Sequence, residues 1–299
     1  MPDICFWNRC NNHCLMCTNP DDFWKEKDYN YDYLSQRLLL LRGKIKDITV
    51  TGGEPTIHPD FLRIIELLKR ELPNIEITLL SNGRRFFYPL FAKKCLELNN
   101  MNIAIALHGY DAQTHDRITL VKGSFAQTVT GIKNLLKYKR KSQNLEIRIV
   151  ITKLTSPYVH KILYFIRGNF PTVDRVVLMF MEIEGRADKD IKTIGTTYKE
   201  WNSYLPRIKS MIKDFREIRL YHFPLCTVEP SLWKYVWRTL SKDEILFPPQ
   251  CKICWYRKYC LGVHKRYLKR IGDSEFSPPQ RLIIKNSNDP HHPIVDVIN

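Results

Sequence analysis

Apolar positions along the chain fall into two alternating patterns. Short β-rich runs read as six strands: "DICFWN" (3–8), "DITVTG" (47–52), "EITLLS" (76–81), "NIAIALH" (102–108), "EIRIVIT" (146–152) and "RVVLMFM" (175–181). Longer stretches with helical spacing separate them. In "PDFLRIIELLKREL", Phe61, Leu62, Ile64, Ile65, Leu67 and Leu68 make one broad apolar stripe. "SPYVHKILYFI" offers Ser156 as an N-cap and Pro157 at the first helical position. Strand and helix in strict alternation predict a parallel sheet with right-handed crossovers. The expected fold is α/β, a partial (β/α)6 TIM-like barrel over about residues 1–200. A seventh candidate strand, "IRLYHF" (218–223), lies beyond it.

In such a barrel the chemistry gathers at the C-terminal ends of the strands. "RCNNHCLMC" follows strand 1, "GGEPT" strand 2, "SNGRR" strand 3, "HGYD" strand 4 and "EIEGR" strand 6. Cys10, Cys14 and Cys17 stand within eight positions of one another. Disulfides use cysteines in pairs and a closed zinc site wants four ligands, so three thiols leave one ligand missing. His13 is the only local candidate for a zinc site, and it lies inside the loop directly before Cys14, where joining three thiolates on one ion is sterically awkward. A second set, Cys226 with Cys251, Cys254 and Cys260, supplies four thiolates, enough to close either a [4Fe–4S] centre or a structural zinc site. The remaining two of the nine cysteines, Cys5 and Cys95, read as buried thiols.

At 299 residues, 44% hydrophobic and 26% charged, the composition is that of a soluble globular protein. No apolar run reaches the ~18–20 residues that span a bilayer. The first residues carry neither the basic head nor the apolar stretch of a secretory signal, so the expected location is the cytoplasm. The net charge of +16 favours an anionic partner such as nucleic acid. Part of it is concentrated in Lys252, Arg257, Lys258, Lys265, Arg266, Lys269 and Arg270, with no acid between Glu244 and Asp273. That segment reads equally as a recognition surface or as a face offsetting a negatively charged cofactor.

The spacing Cys10-x3-Cys14-x2-Cys17 after the first strand, with Gly52-Gly53-Glu54-Pro55 after the second, resembles the radical S-adenosylmethionine (SAM) superfamily. The resemblance implies a [4Fe–4S] cluster on the three thiolates, its fourth iron left open for SAM. It implies SAM contacts from Gly52, Gly53, Glu54, Ser81 and Asn82, with Met16 beside the adenine and His108 and Arg148 as further candidates at the ends of strands 4 and 5. No catalytic residue is assigned. Residues 216–272 are similar to the SPASM or twitch auxiliary domains, with a second [4Fe–4S] cluster on Cys226, Cys251, Cys254 and Cys260. "CNNHCLMCTNP", "TGGEPT", "LLSNGRRF", "GSFAQTVTGIKNL", "VVLMFMEIEGRA", "PLCTVEPSLWKYVW" and "CKICWYRKYCLGV" together resemble the radical maturases of His-Xaa-Ser peptide systems, from about residue 5 to 285. Two departures accompany this. The chain begins just before the cysteine loop, without the N-terminal region associated with that group, and residues 286–299 form a tail with no counterpart there. The implied partners are a ribosomally made peptide substrate and an electron donor such as flavodoxin or ferredoxin. The alternatives are a radical enzyme acting on tRNA or another anionic substrate, and a non-catalytic metal-stabilised binding protein.

Overall fold

The computed structural model describes residues 3–25, 29–98 and 100–298; Met1, Pro2 and Asn299, at the outer edges of the expected barrel and tail, lie outside them. Six strands form where the apolar runs place them: β1 (Asp3–Trp7), β2 (Asp47–Gly52), β3 (Glu76–Ser81), β4 (Met101–Ala106), β5 (Leu145–Ile151) and β6 (Arg175–Phe180). Two more extend the sheet, β7 (Ile218–Tyr221) and the two-residue β8 (Val236–Trp237). All eight are parallel and in chain order. The α/β barrel-type fold is therefore present, with eight strands in place of six, and its sheet runs to Trp237 rather than ending near residue 200. β8 escapes sequence reading because a pair of residues carries no period.

Helices α1 (Tyr31–Leu39), α2 (Phe61–Glu71), α3 (Pro89–Cys95), α4 (Ala112–Thr119), α5 (Ser124–Tyr138) and α6 (Val159–Asn169) fill the connections. In α2, Phe61, Ile64, Ile65, Leu67 and Leu68 are all buried, each contributing about 1.5–3 kcal/mol, while Leu62 is half-buried at the stripe's edge. The start of α6 differs from expectation. A 3-10 turn, Ser156–Tyr158, precedes it, and Ser156 Oγ donates to Thr152 O at 2.7 Å instead of accepting from the helix.

The strands alternate. Ile147, Ile149, Ile151, Leu178 and Phe180 are fully buried on one face. On the other face, Glu146 bonds Arg148 at 2.5 Å and Arg175 at 3.1 Å, Arg175 meets Glu217 at 2.9 Å, and Glu217 takes Arg219 at 2.5 Å. This ion-pair ladder crosses β5, β6 and β7. Burial pushes the Glu146 carboxyl up, but Arg148 and Arg175 hold it below the usual carboxylate range.

Beyond the sheet, β9 (Ile245–Leu246) pairs antiparallel with β10 (Val263–His264). The segment expected as a tail is part of a hairpin, β11 (Ile283–Asn286) with β12 (Ile294–Ile298). His292 stacks on Trp237 with ring centroids 4.5 Å apart, tying the hairpin to the sheet's edge. Among the described residues no helix is long and apolar enough to cross a membrane.

Candidate active site

Two turns grip the loop that carries Cys10, Cys14 and Cys17. After β2, Gly53 N donates to Trp7 O at 2.7 Å and Glu54 N to Arg9 O at 2.8 Å. Glycine is required at both positions: a Cβ on Gly52, whose φ is +138°, would stand 2.2 Å from Trp7 O, and one on Gly53 would stand 2.3 Å from Arg9 O. Asn19 Nδ2 returns to Gly52 O at 3.0 Å. After β3, Asn82 Nδ2 donates to Asn11 Oδ1 at 2.6 Å, and the Arg84 guanidinium donates to Asn11 O and, at 2.9 Å, to Asn12 Oδ1. Gln127 from α5 holds Arg84 Nε at 2.7 Å. Behind the loop, His13 N and Leu15 N donate to the carbonyls of Thr119 and Ile118 at the end of α4. The short helix α7 (Gly185–Lys189) closes the other side, with Ala187 N on Cys17 O at 3.0 Å and Arg186 on His13 O at 2.8 Å.

Glu54 joins the two turns. It is 1% exposed. Its Oε1 accepts from Thr56 N at 3.1 Å, Thr56 Oγ1 at 2.5 Å and Ser81 Oγ at 2.8 Å, and its Oε2 from Asn82 N at 2.7 Å. Burial raises its carboxyl above the usual range and these four bonds oppose the rise. Ser81 Oγ also accepts from Gly83 N at 3.0 Å. The serine that ends β3 and the asparagine after it thus act on the cysteine loop through Glu54 and through Asn11.

The loop's thiols fit a multiply charged metal cluster. Cys10 is pushed up to about 12, first by burial and then by the charge of Glu54. Cys14 rises through burial and through the charges of Cys10 and Cys17, and Cys17 rises through burial. Cys10 is exposed and Cys14 and Cys17 are half-buried, so the loop presents neighbouring thiols beside a carboxylate, a donor set matched by cations, which deprotonate a coordinating thiol.

The second cysteine set converges likewise. Cys226, Cys251, Cys254 and Cys260 line one cavity, with Leu225 and Phe247 among its apolar walls. Burial and the neighbouring thiols push Cys226 up to about 12. Arg257 opposes the rise at Cys251, and Arg238 opposes it at Cys260. Arg257, within the basic segment, therefore lines the cysteine cavity. Among the described residues no three His, Cys, Asp or Glu side chains close around a single ion; a cluster places each thiolate on its own iron.

Three expected cosubstrate contacts stand apart from the knot around Glu54. Met16 is buried in the core. His108 is buried after β4, stacked on His115 at 6.0 Å, with Val150 N donating to its Nδ1 at 3.4 Å. Arg148 sits in the middle of β5, not at its end, and is held by Glu146. Cys95 is buried in the core as expected, and Cys5 is half-buried, its Sγ 3.5 Å from Trp7 O.

Sequence reading did not single out Arg84, Asn11 or Asn19, although "CNNHC", "CTNP" and "SNGRR" contain the signal of polar side chains set beside constrained glycines and cysteines. It also passed over Glu182 and His222. These follow β6 and β7, and His222 Nδ1 lies 3.3 Å from Glu182 Oε1 and 3.1 Å from Phe180 O. Burial raises Glu182 to about 7. A carboxyl that titrates near neutrality at the barrel mouth is suited to proton transfer.

The buried histidines set an acid limit on the fold. Burial lowers His108 to about 3, and His115 and His222 each to about 4. The unfolded chain takes up these protons near pH 6.5 and the folded chain does not, so stability present above about 6.5 is lost as pH falls toward 4. At roughly 1.4 kcal/mol per unit of pKa difference, each histidine removes about 2–3 kcal/mol by pH 4. Urea midpoints measured between pH 7 and 4.5 are expected to fall steeply; a flat profile would contradict neutral burial of the three rings.

Compared with known proteins, residues 4–166, more than half of the chain, match the radical SAM superfamily. Among curated proteins, a probable GTP 3′,8-cyclase of Sulfurisphaera tokodaii is 26% identical over 223 residues, covering 72% of this chain and 64% of the relative. One of Thermococcus kodakarensis is 27% identical over 137 residues, covering 45% and 43%. The chain thus spans less than two thirds of either relative. Among solved structures, Streptococcus suis SuiB bound to precursor peptide SuiA superposes with a TM-score of 0.56 at 15% identity, covering 73% of this chain and 48% of SuiB. Native anSMEcpe with bound AdoMet and Kp18Cys peptide does so with a TM-score of 0.56 at 16% identity, covering 92% of this chain and 79% of that one. These two likenesses are likenesses of fold.

Proposed function

Because this chain belongs to the radical SAM superfamily, we propose that Cys10, Cys14 and Cys17 hold a [4Fe–4S] cluster open to SAM, and that the radical chemistry acts on a ribosomally made peptide. When bound, cluster and cosubstrate supply an electron that breaks the sulfonium carbon bond of SAM and a 5′-deoxyadenosyl radical that takes a hydrogen atom from substrate. The chain's own residues do the positioning. The observation that carries the reading is the double grip on the cysteine loop, by Gly53 and Glu54 after β2 and by Asn82 and Arg84 after β3. Glu54 Oε2 has one protein donor against three on Oε1, which leaves it the lone pair for an ammonium group. Asn82 Nδ2, 3.9 Å from Cys10 Sγ, supports the thiolate as a weak donor. The external electron comes from a flavodoxin or ferredoxin.

Cys226, Cys251, Cys254 and Cys260 are read as the ligands of an auxiliary [4Fe–4S] cluster in a SPASM- or twitch-like segment. Cys226→Ala is expected to strip or destabilise that cluster while SAM cleavage stays measurable. A full iron complement with an unchanged spectrum would remove Cys226 from the ligand set.

The peptide substrate is supported by the run of motifs shared with peptide maturases and by the fold shared with peptide-bound SuiB and anSMEcpe. A second reading, a nucleotide or tRNA substrate, draws on the sequence relatives among GTP 3′,8-cyclases. Incubation with a short peptide encoded beside this gene, with SAM and dithionite, separates them by mass spectrometry. Bond formation lowers the peptide mass by the hydrogens lost, and epimerisation in deuterated solvent raises it. An unaltered peptide together with turnover of GTP or tRNA would replace the peptide reading.

A further inference from the structure

We propose that the open groove on the outer side of the second cysteine set is the docking site of an acidic one-electron carrier protein. It rests on reading those cysteines as a cluster. The groove encloses about 780 Å³, and its walls include Arg238, Lys242, Arg257 and Lys258 and no carboxylate. Cys254 and Cys260 line it too, and the same two cysteines line the cavity shared with Cys226 and Cys251. A redox centre held in that cavity is separated from the groove by little more than its own ligands. Electron transfer falls off steeply with distance, so this is the surface at which a carrier gains by docking.

The rim suits a transient protein partner. Trp255 and Leu246 are 62% and 50% exposed and line the groove among its cations, and the Arg281 guanidinium lies 3.9 Å from the centre of the Trp255 ring. Exposed apolar surface ringed by charge marks interaction sites, and redox encounters use small interfaces steered by opposite charge. Two further cations of the segment turn to carboxylates outside the groove. Arg266 stands 3.4 Å from Glu184, and Arg270 makes two bonds to Asp188, at 2.6 and 2.7 Å. The step is one electron between the docked carrier and the thiolate-held centre: one is oxidised by one equivalent, the other reduced by one, and no bond is made or broken.

The test uses the Cys10/Cys14/Cys17→Ala chain, in which only the second set can hold iron, so that its outcome is independent of SAM cleavage. Iron and sulfide analysis first reports whether that cluster exists, which tests the reading beneath the proposal. The rate of bleaching by flavodoxin hydroquinone is then followed by stopped flow, alongside dithionite. With Lys242→Glu and Lys258→Glu added, flavodoxin-driven reduction is expected to slow by about tenfold or more and dithionite reduction to be unchanged. Lys93→Glu with Lys94→Glu, the same charge change on exposed positions of α3, is expected to leave both rates alone. Raised salt should slow the parent toward the groove variant. Equal flavodoxin rates in the two double variants, or a single-stranded RNA oligonucleotide that binds the groove in preference to flavodoxin at equal salt, would overturn the proposal.

Discussion

Replacing Cys10, Cys14 and Cys17 together by alanine is expected to lower the iron content of anaerobically reconstituted protein from about eight to about four and to bring SAM cleavage to background. The loop that carries them should survive the change, because its fixing bonds come from other groups. Gly53 N, Glu54 N and Ala187 N bind its backbone, and Arg84 and Asn82 bind its asparagines. The second set, reached through separate elements, should keep its cluster and its spectrum. Near-total iron loss would mean that the two sites do not assemble independently, and unchanged iron would remove the three thiols from the ligand set.

The largest effect on stability is expected at Glu54. Glu54→Ala leaves the Thr56 and Ser81 hydroxyls and the backbone N–H groups of Thr56 and Asn82 without their acceptor. Unpaired buried donors cost about 1–3 kcal/mol each. With partial relaxation and entry of water, a loss of about 4 kcal/mol is expected in urea unfolding, accompanied by poor cluster loading because both grips on the cysteine loop slacken. Glu54→Gln keeps one carbonyl oxygen but turns an amide N–H toward a donor, and should fall between. A loss below about 1 kcal/mol for the alanine variant would show that the knot is not what joins the turn after β2 to the end of β3.

The strands were legible because a half-buried or fully buried strand declares itself by period and by β-branched composition. β2 and β3 match their sequence spans residue for residue, and the others agree to within one or two positions. What the sequence concealed depends on partners distant along the chain. Whether Ser156 caps a helix or donates backward is decided by Thr152 O. That Arg148 belongs to an ion-pair ladder is decided by Arg175 and Glu217 one and two strands away, whose ladder holds Glu146 in place. The site shows the same division. Cysteine spacing and the "GGEP" turn announce the metal loop locally. The service of Ser81 to Glu54, 27 residues away, and of Arg84 to Asn12, 72 residues away, exists only once the parallel sheet aligns the ends of β1, β2 and β3. The tail was illegible for a related reason: β12 pairs with β11 and the turn between them packs through His292 on Trp237, a partner distant along the chain.

The central claim is that the three-thiol loop performs reductive cleavage of SAM. Wild-type protein, reconstituted with iron and sulfide without oxygen and supplied with dithionite and SAM, is analysed for its nucleoside product by liquid chromatography and mass spectrometry. The account predicts 5′-deoxyadenosine, formed slowly even without substrate and absent from the Cys10/Cys14/Cys17→Ala variant. S-adenosylhomocysteine or methylthioadenosine as the sole product, or 5′-deoxyadenosine formed equally by the variant, would contradict it.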